Sequence, residues 1–131
     1  MPQPVALQRL ADPKRGTLCV AECGREVPFV VQRIFHIYDM PVGGERGHHA
    51  HRVQHQFLIA MHGALEVTTR GREGEAVHLL EDPSQGLHVP PLTWLVLRAR
   101  APETVALVLT SHVFDEADYI RDRTAFDALI R

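Results

Sequence analysis

Apolar and polar positions alternate in short runs along most of this chain, and turn signals cut the runs at close intervals. The turns read "DPKRG" at 12–16, "PVGGERG" at 41–47, "RGREGE" at 70–75, "EDPSQG" at 81–86 and "RAPE" at 100–103. Between them lie "VPFVVQRIFHIYDM", "QFLIAMHGALEVTT", "AVHLL", "GLHVPP", "TWLVLRA" and "TVALVLTS", rich in β-branched and aromatic residues. Runs of this kind predict short strands, and strands at this spacing predict an all-β antiparallel sandwich or barrel. In "FVVQRIFHIYD" the two-residue period puts Phe29, Val31, Arg33, Phe35 and Ile37 on one face. Val30, Gln32, Ile34, His36 and Tyr38 fall on the other, a mixed face. That mixed face suits the lining of a ligand-holding barrel, and equally a face turned to solvent.

Only the tail breaks the alternation. "DEADYIRDRTAFDALIR" offers Asp and Thr as caps and Ile120, Phe126, Leu129 and Ile130 for packing, which predicts one or two short closing helices. No repeat, low-complexity segment or linker divides the chain, so residues 1–131 are expected to form a single domain.

Composition narrows the class of function. At 131 residues the chain can bury a core without disulfides or metal staples. Fourteen Lys and Arg against sixteen Asp and Glu leave a formal charge of −2, which gives no general attraction to nucleic acid or an acidic membrane. Cys19 and Cys23 form no disulfide framework and no CxxC pair, as expected of plain thiols in a reducing cytoplasm. No run is apolar enough for a signal peptide or a bilayer span, so a cytoplasmic protein is expected. No P-loop or GxGxxG is present to cradle a phosphate.

The nine histidines change the picture. "GERGHHAHRVQHQ" at 44–56 holds four of them with two arginines. On a strand, His49 and His51 point to the same face and His48 to the other. Glycine, five residues, then His-x-His is the opening of the cupin jelly-roll signature. Gly43, His49 and His51 fit it, and Gly63 closes it after the next strand. The metal-binding form needs a glutamate four or five positions on, where this chain has His55 and Gln56. The later histidine is missing too, because "GLHVPPLTWLVLR" carries Trp94 and aliphatics there. A stable metal site needs three or four well-placed ligands, so neither metal nor other cofactor is expected. His55 and His88 are substitutes in principle, although His55 has the wrong parity beside His51. Two histidines facing a partly apolar interior make a candidate acid/base pair, since imidazole titrates near neutrality. Two hydrogen-bonded structural histidines would give the same sequence pattern.

The longer string "VPFVVQRIFHIYDMPVGGERGHHAHRVQHQFLIAMHGALEV" resembles the sugar nucleotide 3,4-ketoisomerases, small metal-independent cupins acting on dTDP-4-keto-6-deoxyglucose. "GLHVPPLTW", "VALVLTSHVFDEADYIRD" and the closing "FDALI" are similar to that family's later blocks, in the same order. The resemblance implies a jelly roll, usually a homodimer, with His49 and His51 as the catalytic pair in "RGxHAH". It also implies substrate-binding roles for Arg46, Gln56 and the Tyr38 of "IYD". His36 and Phe114 stand where tyrosine is common, and Ala64 where serine is, which bears on the substrate more than on the histidines.

Moving a ketone from C4 to C3 removes the C3 proton, passes through an enediol and delivers a proton to C4. The charge on the enediolate calls for a donor or cation, for which Arg46, Tyr38, Gln56 and Arg33 are candidates. Arg46, Arg52 and Arg98 are available to a pyrophosphate, and Trp94 to a base or sugar. The expected activity is 3,4-ketoisomerisation of a nucleotide-linked 4-keto-6-deoxyhexose. A 3,5-epimerase, a metal-dependent cupin oxygenase and a non-catalytic sugar nucleotide sensor are the alternatives. The C4 configuration of the product and the nucleotide carrier stay open.

Overall fold

The computed structural model describes residues 1–131. Twelve strands form in chain order: β1 Gln3–Ala6, β2 Gln8–Asp12, β3 Gly16–Val20, β4 Arg33–Ile37, β5 Glu45–His51 and β6 Gln56–His62. They continue as β7 Leu65–Gly71, β8 Gly74–Leu80, β9 Gln85–Val89, β10 Trp94–Ala99, β11 Val105–Thr110 and β12 Tyr119–Ile120, before helix α1 Arg123–Leu129. Two five-stranded sheets, ordered β1-β9-β6-β11-β4 and β12-β5-β10-β7-β8, face each other, and β2-β3 stands apart as a hairpin. All five turn signals read from the sequence lie between strands, overlapping only the residues at strand ends. The antiparallel sandwich expected from the alternation is the observed architecture.

Alternation decides which side chains meet between the sheets. Leu65 and Val67 of β7, Leu95 and Leu97 of β10, and Ala106 and Val108 of β11 point inward and are buried. Strand β6 is buried at five consecutive residues because both of its faces are covered. Leu58 and Ala60 join the main core, while Phe57 and Ile59 pack outward against Val27. Gly86 of β9 makes that outward packing possible, since a Cβ there would sit 2.2 Å from the Phe57 ring.

Two details sharpen the reading. Of the run "VPFVVQRIFHIYDM" only Arg33–Ile37 is strand, and its inward face carries Arg33, Phe35 and Ile37. The mixed face points away from the core, with Ile34 at 63% and Tyr38 at 61% exposure. The tail is helical only in part. A 3₁₀ turn at Glu116–Asp118 runs into β12, which pairs Tyr119 with His51 and Ile120 with Ala50. Helix α1 is then capped by Asp122, whose carboxylate accepts from the Thr124 N–H, and buries Phe126 against Trp94. No helix is long and apolar enough to cross a membrane.

Candidate active site

Strand β5 places the histidines, and an irregularity in it decides what joins them. Against β10, Leu95 pairs with His49, Val96 with Gly47 and Leu97 with Arg46, so the register slips by one residue at Gly47–His48. Gly47 has φ +96° and His48 φ +55°, which is a β-bulge with two left-handed residues. A side chain at Gly47 would meet the Leu95 carbonyl oxygen at 2.9 Å, so glycine is required there. The bulge has a functional consequence. Arg46 and His49 are three apart and would face opposite ways on a regular strand. Here both share the face of Leu95 and Leu97, while His48 turns out to Glu45 Oε1 at 3.1 Å.

His49, Arg46 and Gln56 line a cavity of about 320 Å³ that opens between the sheets. Phe35, Ile37, Leu58 and Leu97 form its apolar wall, and Tyr119 and Arg121 its far side. The His49 and His51 rings stand edge to face, 5.0 Å between centroids, and Tyr119 lies 4.3 Å from His51 and 5.0 Å from His49.

The two imidazoles are held differently. His51 is buried, and its Nδ1 donates to Asp118 Oδ2 at 3.0 Å. Asp118 Oδ1 also accepts the Val53 N–H at 2.8 Å, so the carboxylate is anchored to the loop that follows β5. At the other nitrogen, Nε2 lies 3.3 Å from Gln54 Nε2 and 3.4 Å from Gln56 Nε2. Burial depresses the His51 pKa to about 4, with His49 adding to the effect and Asp118 opposing it. His49 donates Nδ1–H to the Gly47 carbonyl at 3.0 Å, and its buried Nε2 has no hydrogen-bond partner. Burial lowers the His49 pKa as well. At neutral pH both rings are therefore neutral, with Nδ1–H engaged and the Nε2 lone pair as the basic position.

The arrangement answers to a known set of proteins. The family described as FdtA, WxcM-like, C-terminal, matches residues 3–131. The chain belongs to this family. A curated member from Aneurinibacillus thermoaerophilus, TDP-4-oxo-6-deoxy-alpha-D-glucose-3,4-oxoisomerase, is 32% identical over 118 residues, 88% of this chain and 84% of that one. QdtA, a sugar 3,4-ketoisomerase from Thermoanaerobacterium thermosaccharolyticum solved with TDP, matches with a TM-score of 0.93 at 31% identity, over 98% of this chain and 93% of its own. A histidine-to-asparagine variant of the same enzyme was solved with TDP-4-keto-6-deoxyglucose. A Helicobacter canadensis 3,4-ketoisomerase matches with a TM-score of 0.92 at 31% identity, covering 98% of this chain and 96% of that one. The sequence resemblance thus named the right family, the fold is its cupin-like jelly roll, and the chain is an isomerase.

Within this ketoisomerase fold the candidate residues separate. His49, His51, Arg46 and Gln56 come together. Arg33 lies behind them, with its guanidinium 3.5 Å from Gln54 Oε1 and from the Tyr119 hydroxyl. Tyr38 is exposed and does not line the cavity, but it stacks at 5.8 Å on His36, which does. Trp94 faces α1 and packs on Phe126 at 5.6 Å, so it belongs to a core cluster and not to the cavity. Of the arginines named for a pyrophosphate, Arg52 is exposed in the loop after β5 and Arg98 pairs with Glu45. His55 and His88 hydrogen-bond each other at 2.9 Å on the outer side of β6, away from His49 and His51. No group of three or more His, Cys, Asp or Glu side chains is placed to hold a metal. Sequence reasoning missed Asp118, Tyr119, Arg121 and Gln54. The first three sit in "DEADYIRD", read as helix, where only the pairing of β12 with β5 brings them to the histidines.

Proposed function

We propose that the chain is a sugar nucleotide 3,4-ketoisomerase that converts a TDP-linked 4-keto-6-deoxyhexose into its 3-keto isomer through an enediol. The observation that carries this reading is a pair of adjacent neutral imidazoles, His49 on the cavity wall with a bare Nε2 and, 5.0 Å from it, the buried His51 backed by Asp118. The reaction needs two proton movements. One base takes the proton from C3 and returns a proton to C4, and a second group moves the hydroxyl proton from O3 to O4. Two neutral imidazoles, each becoming an acid once protonated, supply both without a cofactor once the substrate meets their buried Nε2 positions. Negative charge on the enediolate oxygens is met by the guanidiniums of Arg46 and Arg121 at the cavity wall. Of the two, Arg46 has no carboxylate partner and is free for an anionic group, whereas Arg121 already shares its fork with Glu116 at 2.7 Å. The named relatives, with TDP or TDP-4-keto-6-deoxyglucose bound, support this substrate class. We also infer that the protein acts as a cytoplasmic homodimer.

Incubation with dTDP-4-keto-6-deoxyglucose and proton NMR of the product tests the reading. A carbonyl moved to C3 is the expected outcome. Inverted centres beside an unmoved C4 ketone would make the chain a 3,5-epimerase, and unchanged substrate that nevertheless binds would make it a sensor.

A further inference from the structure

Arg33 is a half-buried cation with no carboxylate against it. Its Nε is buried and has no hydrogen-bond partner, and Phe35 and Phe114 cover the guanidinium at 5.3 and 5.7 Å. A desolvated charge without a counter-ion is expensive, so its retention beside a reactive pair calls for a reason. The reason lies in the direction of the hydrogen bonds around it. A guanidinium only donates, so the group facing it at 3.5 Å must be the carbonyl oxygen of the Gln54 amide. That choice turns the Gln54 NH2 toward His51 Nε2, 3.3 Å away, and Nε2 must then accept. From the other side Asp118 only accepts and claims the proton on Nδ1.

The two ends of this chain pull in opposite senses. Asp118 alone would favour an imidazolium at His51, as a buried carboxylate does for any neighbouring imidazole. An amide free to rotate would follow, presenting its oxygen to a proton on Nε2. With Arg33 holding the oxygen, that rotation is blocked. We propose that Arg33 is a positioning residue: by fixing the Gln54 amide it keeps the Nε2 of His51 unprotonated and so keeps the ring a base. This rests on the reading of His51 as a proton-transfer group. The other groups around the ring do not supply the lock. His49 on β5 and Tyr119 on β12 meet it through their rings, Arg121 stacks on Tyr119 at 4.3 Å, and Gln56, whose Nε2 lies 3.4 Å from Nε2 of the ring, has no arginine on its own oxygen. The low pKa of His51 agrees with this arrangement, with Arg33 among its causes.

The test is a pH titration of His51 in the substrate-free full chain, followed by imidazole nitrogen NMR, which distinguishes neutral Nδ1–H from imidazolium. Arg33→Met should raise the midpoint by about one unit, the scale of a lost nearby charge or hydrogen bond. Gln54→Leu removes the amide that would otherwise turn, so in that background Arg33→Met should have much less effect. Equal shifts in both backgrounds would mean that Arg33 acts through space alone and would overturn the proposal, as would a midpoint that does not move. Should Arg33→Met fail to fold, Gln54→Glu puts an acceptor at Nε2 directly and should raise the midpoint further; no rise there also overturns it. None of these readings uses substrate, so they stand or fall separately from the ketoisomerase assignment.

Discussion

His49 is held by the Gly47 carbonyl alone and His51 by Asp118 and two amides, and that difference is what single substitutions would report. Replacing either by Asn should lower turnover by about a hundredfold or more, the usual contribution of a positioned acid or base. Substrate affinity should change much less, because the cations at Arg46 and Arg121 remain. His48→Asn should change neither, since the bulge turns it outward to Glu45. Exchange of the C3 proton with deuterated solvent would then show which ring acts at carbon: its variant loses exchange, whereas the other keeps part of it. Turnover near wild type in both variants would show the pair to be architectural. His49 and His51 were readable from strand parity, whereas Arg46 and Gln56, in the same short string, came only with the family resemblance. Asp118 was not readable, because an aspartate among "DEAD" looks like a helix-capping or solvated charge until a strand 67 residues earlier in the chain brings His51 to it.

At the scale of the element, the bulge in β5 is the feature that makes a site out of a strand. Parity predicts that His49 and His51 share a face, and they do, but it places Arg46 on the opposite face. Only the register slip returns Arg46 to the cavity. The same simple period left the two faces of β4 undecided; which face turns inward depends on the packing of Phe35 and Ile37 against the core, a tertiary fact. The bulge can be tested against its own neighbour. Gly43 and Gly47 both have positive φ, but a Cβ at Gly43 meets open space, whereas one at Gly47 meets the Leu95 carbonyl. Gly43→Ala should cost only the backbone strain, about 1–3 kcal/mol, and leave turnover intact in the folded fraction. Gly47→Ala should lower the thermal midpoint further and reduce turnover, because relieving the clash regularises the strand and swings Arg46 out. A Gly47→Ala protein that turns over at the wild-type rate would show that Arg46 does not depend on the bulge.

Over the whole molecule, the apolar surface left uncovered points to a second copy. The β2-β3 hairpin pairs with neither main sheet, and its Leu10 and Leu18 are 58% and 60% exposed. Beside it the outer face of the first sheet, with Ile59, Met61, Leu107 and Leu109, walls a groove of about 590 Å³ together with Leu7, Cys19 and Ala21. Val30 at 72% and Ile34 at 63% extend the same uncovered character. Monomers rarely expose contiguous apolar patches beyond a few hundred Å², and two-stranded hairpins are marginal alone in water. A two-fold dimer would cover this surface efficiently, since each hairpin would be both donor and receiver and the contact would close on itself. The same symmetry makes one substitution count twice. Leu18→Glu would bring two carboxylates into an apolar interface, where an unpaired charge is strongly destabilising. Light scattering at about 10 μM, inside the range at which a standard-sized interface stays associated, should give a dimer for the wild-type chain. The Leu18→Glu chain should then run as a monomer with unchanged far-UV circular dichroism, because residue 18 supports no packing in the main core. A wild-type chain that scatters as a monomer at that concentration would leave the hairpin without a role in assembly.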